Sequence, residues 1–236
     1  MPEPEVLLSY SLRELAHEKD MKGLKVCVTA GPTRETIDPV RFISNRSTGK
    51  MGFALAKNAM ERGADVTLVS GPVELKDVPF VKMVHVESAR QMFEAVTKEA
   101  ETADIIVKAA AVADYRPAVV ADEKIKKKDG DMSIALERTD DIIGTLGKTK
   151  RDNLFLCGFS METEHMLENS KAKLEKKNLD MIIANNVKVK GAGFGTDTNV
   201  VTLITKDEIK ELPIMSKEDV ADEIFNNILA NRKGIV

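Results

Sequence analysis

Apolar positions along this chain follow two periods in turn. Short β-branched runs at residues 25–29, 65–69, 81–86, 104–108, 153–157 and 180–184 have the length and composition of buried strands. Between them, stretches at 50–62, 89–102, 141–148 and 163–177 carry apolar residues three and four apart, as Met51, Leu55 and Ala59 do in the first. Strands and helices alternating in this way predict an α/β fold, a Rossmann-like parallel sheet sandwiched by helices. Near the C-terminal end the rhythm changes. Val200-Val-Thr-Leu-Ile-Thr, the polar Lys206-Asp-Glu and a second run from Ile209 predict an antiparallel hairpin over 199–213. Ser216, with Asp219 three residues on, marks the start of a last amphipathic helix reaching residue 231.

The N-terminal stretch stands apart. Pro2 and Pro4 punctuate an acidic lead, residues 6–16 have helical spacing through Leu7, Leu8, Leu12 and Leu15, and a charged run follows at 17–22. Residues 1–22 therefore read as a linker or accessory helix. Residues 23–236 read as one domain, near the upper size of a single α/β unit.

Composition narrows the function classes. Hydrophobic residues at 43% supply a core, and charged residues at 31% balance to a net charge of −3. That surface lacks the basic footprint of an obligate nucleic-acid binder. No apolar run nears the roughly 20 residues that span a bilayer. The acidic start is unlike a signal peptide, and Cys27 and Cys157 lie far apart inside apolar runs, against a disulfide or a zinc site. A cytoplasmic location with no nucleic-acid and no membrane partner is the expectation.

Candidate chemistry sits in the loops at strand ends, where open α/β sheets bind ligands. The first strand runs into Thr29-Ala-Gly-Pro-Thr-Arg-Glu, and Ser47-Thr-Gly-Lys-Met-Gly opens the next helix. There is no G-x-G-x-x-G, and Gly49-Lys50 is followed by Met51, so neither a dinucleotide fingerprint nor a Walker loop is present. Yet roughly twenty residues separate strand from helix where two to six are usual. They carry Arg34, Arg41, Asn45 and Arg46, and several donors above a helix N-terminus suit a phosphorylated ligand. The plain alternative is a connecting loop with a serine helix cap.

The fourth strand ends in Lys108-Ala-Ala-Ala-Val-Ala-Asp114-Tyr-Arg116, followed by Asp122-Glu-Lys-Ile-Lys-Lys-Lys-Asp-Gly130. Alanines there leave room for a flat ligand, and the lysines can neutralise a triphosphate. Taken singly, the alanines read as tight strand–helix packing and the lysines as a solvated face. What favours ligand binding is that both share a sheet edge with the first loop. Thr139-Asp140-Asp141-Ile142-Ile143 reads as a threonine cap opening a helix. Lys173 and Lys177 lie four apart on another, after Phe159 at a strand end. A nicotinamide-dependent oxidoreductase is the runner-up, but it would need the missing glycine fingerprint and an acidic residue where Ser70-Gly-Pro follows the second strand. A non-catalytic nucleotide-binding subunit would bind without turnover.

At these residues the chain resembles the phosphopantothenate–cysteine ligase family of coenzyme A biosynthesis. The matching stretches are Gly31-Pro-Thr-Arg-Glu, Asp38-Pro-Val-Arg-Phe-Ile-Ser-Asn-Arg-Ser-Thr-Gly-Lys-Met-Gly, Ala110-Ala-Val-Ala-Asp-Tyr-Arg, Glu123-Lys-Ile-Lys-Lys, Gly158-Phe-Ser-Met-Glu-Thr and Lys177-Asn-Leu-Asp. They run in the family's order over residues 24 to 232.

The resemblance implies a two-step reaction. CTP activates the carboxylate of 4′-phosphopantothenate as an acyl-cytidylate with loss of pyrophosphate, and the amine of cysteine then displaces CMP. By motif position it implies that Asn45 stabilises the acyl-cytidylate, that Arg41 serves the cysteine step and that Lys124 serves activation. It implies a nucleotide site of Gly31, Ser47, Gly49, Ala110, Ala111, Asp114, Lys124, Lys127, Asp140, Asp141, Ile142, Ile143, Phe159, Lys173 and Lys177. It also implies Mg²⁺ on the phosphates, with no metal ligand assigned. The chemistry needs positioning and charge neutralisation rather than a protein nucleophile, and the three histidines, His17, His85 and His165, fall outside the matched loops. Two departures stand out: Thr139-Asp-Asp-Ile replaces a common Asn-Pro-Asp-Ile and adds a negative charge, and Arg46 replaces a residue that is often histidine. Met1-Pro-Glu-Pro-Glu-Val resembles the seam of the bifunctional members, which implies a covalently linked, FMN-dependent decarboxylase half upstream. Family ligases are dimers, and the hairpin at 199–213 is the expected pairing edge.

Overall fold

The computed structural model describes residues 3–127, 131–161, 166–185, 193 and 195–232. In chain order the strands are β1 (Lys25–Ala30), β2 (Arg34–Thr36), β3 (Phe42–Ser44), β4 (Asp65–Ser70), β5 (Lys82–His85), β6 (Ile105–Lys108) and β7 (Tyr115–Pro117). They continue with β8 (Leu136–Arg138), β9 (Phe155–Met161), β10 (Met181–Asn185), β11 (Thr198–Asn199), β12 (Val201–Thr205), β13 (Ile209–Glu211) and β14 (Met215–Ser216). The helices are α1 (Pro4–Leu15), α2 (Lys50–Glu61), α3 (Ala89–Ala100), α4 (Ile142–Lys148), α5 (Met166–Lys176) and α6 (Lys217–Asn231).

Eight strands form one sheet in the order β13-β12-β10-β9-β6-β1-β4-β5. The six from β10 to β5 are parallel, and β12 and β13 add antiparallel at the β10 edge. Counting only the parallel strands in chain order gives 3-2-1-4-5-6, the doubly wound arrangement. Strand order reverses between β1 and β6, so a crevice opens where their carboxyl ends diverge.

Burial on both faces explains why these strands read as continuous apolar runs. Val26, Val28 and Ala30 pack on one face with Phe53 and Leu55 of α2 and with Ile224 and Phe225 of α6. Cys27 and Ile106 point to the opposite face, against Met92 of α3, Leu146 of α4 and Leu174 of α5. Both cysteines are buried and free. Burial pushes the Cys27 thiol up to about 12 and Cys157 well above its usual range, so neither is a nucleophile. No helix among the described residues is long and apolar enough to cross a membrane.

The hydrophobic pattern placed the parallel strands, the hairpin and the last helix correctly, and the structure corrects the ends. The fifth strand lies at Phe155–Met161 rather than 153–157, because residues 152–153 form a turn that Leu154 closes with its N–H to the Arg151 carbonyl. Residues 163–165 of the expected fifth helix lie outside the described residues. Ser216 caps α6 through the Asp219 N–H, as its spacing predicted. Two other caps differ. α2 starts at Gly49 with φ 79° and no side-chain cap, so no serine caps it. α4 is capped by Asp141, which accepts from the Gly144 N–H at 3.1 Å, leaving Thr139 for another partner.

Candidate functional site

The crevice is built from glycines in three roles. In a dinucleotide fingerprint one glycine makes the tight turn, one lets a phosphate approach and one lets the helix pack on the strand. Here Gly31 turns the chain at φ 75° directly after β1, and Gly49 opens α2 at φ 79°. A Cβ on Gly52 would lie 2.6 Å from the Ala30 Cβ and 2.8 Å from the Thr29 carbonyl oxygen. The same tasks are therefore performed by residues separated by the β2–β3 hairpin, which is why no compact motif was visible.

The alanine loop after β6 is pinned to the loop after β1. Ala110 and Ala113 donate their N–H groups to the buried hydroxyls of Thr29 and Thr33, each at 3.0 Å, and Ala111 donates to the Gly31 carbonyl at 2.9 Å. Asn45 then donates its side-chain amide to the Ala111 carbonyl at 2.9 Å. From the other side, Thr139 Oγ1 donates to the Ala113 carbonyl at 2.6 Å. Backbone polar groups that a buried loop must satisfy are met by three threonines, a glycine and an asparagine.

Two cavities of about 430 Å³ each open on this loop. The first is lined by Asn45, Ser47, Gly49, Ala110 and Ala111, together with Asn185, Asn199 and Lys217. The second is lined by Thr139, Asp140, Asp141, Ile142, Ile143, Lys173 and Lys177. Lys108, Val112, Asp114 and Phe159 line both, so the cavities adjoin at the strand switch point.

Charge is unevenly held around them. Lys177 pairs with Asp141 at 3.0 Å. Partial burial raises the Asp141 carboxyl, but the hydrogen bonds from Lys177 and Gly144 outweigh it and leave the acid below its usual value. The Lys108 side chain, at the end of β6, forms no hydrogen bond or salt bridge among the described residues. Burial first, and the nearby Lys177 second, lower its pKa. Lys217 is buried; it donates to the Gly193 and Thr196 carbonyls, and burial lowers it also.

Most of the site residues expected from sequence thus come together, and a few do not. Gly31 lies buried against the alanine loop and lines neither cavity. Arg41, Lys124 and Lys127 line neither cavity. The Arg41 guanidinium is held by the Asp38 carboxylate and the Ile125 carbonyl, and Lys124 and Lys127 are exposed. Lys128 of the lysine run and residues 162–163 of another matched stretch lie outside the described residues. The structure adds Lys108, Lys217, Asn185 and Asn199. Their signal was faint: a lysine closing an apolar strand, a lysine opening a helix, and amides at strand ends.

A family profile described as the DNA/pantothenate metabolism flavoprotein C-terminal domain matches residues 21–231. The Coenzyme A biosynthesis bifunctional protein CoaBC of Bacillus subtilis (strain 168) is 49% identical over 99% of this chain and 58% of its own length. A cysteine/cysteine sulfinic acid decarboxylase of an unknown prokaryotic organism is 45% identical over 97% of this chain and 66% of its own. Among solved structures, the C-terminal domain of a CoaBC superposes with a TM-score of 0.76 at 44% identity, covering 88% of this chain and 95% of that one. The chain therefore spans less than two thirds of the length of these two curated relatives.

Proposed function

The chain belongs to the family of the DNA/pantothenate metabolism flavoprotein C-terminal domain, and from that premise we propose that it is a ligase that joins 4′-phosphopantothenate to cysteine using CTP. One observation carries the reading: two cavities meet at Lys108, Asp114 and Phe159, one below the uncapped N-terminus of α2 and one rich in lysine. Adjoining pockets suit a reaction in which an acid and a nucleotide must touch.

In this reading the nucleotide occupies the second cavity. Its cytosine lies near Phe159 and the α4 start, and its phosphates lie toward Lys173 and Lys177. The acid occupies the first cavity, where Asn45 and the N-terminus of α2 face it, an arrangement that favours anions. Its carboxylate oxygen attacks the α-phosphorus at the junction and pyrophosphate leaves. The cysteine amine then attacks the acyl carbon and CMP leaves with the bonding electrons. The chain's residues orient the partners and offset charge, with Asn45 beside the acyl-cytidylate, Arg41 serving the cysteine step and Lys124 the activation step.

Asp114 and Asp140 line the second cavity, and no group of three or more His, Cys, Asp or Glu among the described residues could hold a metal. That donor set fits a magnesium ion arriving on the triphosphate rather than one held by the chain alone. Bound there, Mg²⁺ would neutralise phosphate charge.

Two partner readings accompany the ligase. A covalently linked decarboxylase half, with its FMN, is supported by the bifunctional relative and by the decarboxylase, both of which extend beyond the matched region. A homodimer would pair through β13, whose residues are all exposed, or through the hairpins β2–β3 and β7–β8, which expose Phe42, Tyr115 and Leu136; light scattering of the purified chain tests it.

The deciding experiment is pyrophosphate release with 4′-phosphopantothenate, with CTP or ATP in turn and with or without cysteine. Release that needs both the acid and CTP supports the reading. CTP binding with no release would make the chain a non-catalytic binder.

A further inference from the structure

Asp38 lies in the turn between β2 and β3 and is 1% exposed. Its Oδ1 accepts the Val40 and Arg41 N–H groups, each at 2.9 Å. Its Oδ2 accepts Arg41 Nε at 3.0 Å, Arg41 Nη2 at 2.5 Å and the Ile125 N–H at 3.1 Å. Arg41 Nη2 in turn donates to the Ile125 carbonyl at 3.1 Å. Both backbone polar groups of Ile125 are therefore held, one by the carboxylate and one by its guanidinium partner. Further along, the Ala121 N–H donates to the Ile37 carbonyl at 3.0 Å. Among the described residues no other hydrogen bond ties residues 122–127 to the rest of the chain.

The same hairpin places Asn45. From the Asp38 turn the chain enters β3, which ends at Ser44, whose hydroxyl donates to the Thr33 carbonyl at 2.9 Å. Asn45 follows and reaches the Ala111 carbonyl. The residue beside Ile125 is Lys124. One rigid hairpin thus carries Asn45 at one end and grips the lysine segment at the other.

We propose that Asp38 is a positioning residue, a buried carboxylate that locks the Lys124 segment onto the β2–β3 hairpin so that Lys124 and Asn45 stand in fixed relation to one substrate. This rests on the ligase reading above for its catalytic consequence, though not for the clamp itself. Only an ionised carboxylate suits the place. Five donors converge on it, and an amide would offer one oxygen and turn its own N–H groups toward donors. A long exposed lysine contributes to chemistry only when its backbone is fixed, since a shift near 1 Å can cost about 100-fold in rate.

The test uses Asp38→Asn and Asp38→Glu in the full chain. Hydrogen–deuterium exchange of peptides covering 119–127 is measured without substrates; faster exchange in Asp38→Asn is expected, because the Ile125 N–H loses its acceptor. In parallel, pyrophosphate release with 4′-phosphopantothenate and CTP is measured. Asp38→Asn should lose roughly 100-fold in kcat, while CTP binds at full stoichiometry with Kd changed by no more than about threefold. Asp38→Glu should recover part of the rate. Should Asp38→Asn fail to fold, Ile125→Pro removes the same hydrogen bond from the surface side and should reproduce the loss. Unchanged exchange, a kcat like that of the wild type, or a kcat loss matched by lost CTP stoichiometry would each overturn the proposal. A wild-type chain that releases no pyrophosphate would instead refute the ligase reading, and the exchange result would still decide the clamp.

Discussion

Asn45 donates its side-chain amide to the carbonyl of Ala111 at 2.9 Å, joining two loops 66 residues apart in the chain. The contact fixes the wall between the long insertion after β1 and the alanine loop after β6. Asn45→Asp replaces that donor with an acceptor, so a carboxylate would face a carbonyl oxygen and also the developing acyl phosphate. Overall ligation should fall by about 100-fold, while pyrophosphate release in the absence of cysteine survives. Comparing the two rates checks this; an overall rate equal to wild type would remove Asn45 from the chemistry.

Lys124 presents the opposite balance, since it is exposed and forms no hydrogen bond or salt bridge among the described residues. Lys124→Gln should leave stability within about 0.5 kcal/mol, as surface substitutions do. Pyrophosphate release should nonetheless drop by roughly 100-fold or more. Urea unfolding and a pyrophosphate assay on the same preparation separate the effects. Near-normal release would show that the lysine run is only a solvated face.

How much of this was legible beforehand depended on the range of the signal. Strand β1, with alternate residues buried on both faces, announces itself in its own few residues, as does the cap at Ser216. The Arg34–Thr36 and Phe42–Ser44 pair did not, because those segments are too short to show a period and lie inside what reads as a loop. Thr139 was misread as a helix cap because a threonine before two aspartates satisfies the local rule. The hydroxyl bonds Ala113, 26 residues away, and Asp141 caps in its place. Lys108 is silent in the sequence for the same reason: nothing local distinguishes a lysine at a strand end from one at the switch point of the sheet. Residues whose work depends on distant partners became visible only through the resemblance or through the coordinates.

Gly52 tests the division of glycine roles. It is buried where α2 crosses β1, and an added methyl would meet the Ala30 Cβ at 2.6 Å and backbone oxygen at 2.8 Å. Neither neighbour is the end of a flexible side chain, so the helix itself must move. Overpacking of this kind costs about 1–3 kcal/mol, and Tm should fall by roughly 2–4 °C per kcal/mol in a chain of this size. Because the N-terminus of α2 lines the first cavity, Gly52→Ala should also weaken binding of the acid. A thermal scan showing wild-type stability would mean that the contact between α2 and β1 is looser than these distances imply.

The clamp at Asp38 also makes a statement about pH. The Arg41 hydrogen bond pulls its carboxyl well below the ordinary value of 3.8; burial opposes this, and the N–H groups of Val40, Ile125 and Arg41 reinforce it. A carboxyl with a depressed folded pKa stabilises the native state fully above its unfolded pKa. That contribution is lost as pH falls from there through the lower folded value, because the unfolded chain takes up the proton first. The stability difference between the wild type and Asp38→Asn should therefore stay constant from neutral pH to about pH 5 and narrow only in stronger acid. Urea unfolding of both proteins across that range measures it. A difference that stays flat into strong acid, or that widens as pH falls, would mean that the carboxyl titrates at or above its ordinary value in the folded chain, and that Arg41 does not hold it in solution.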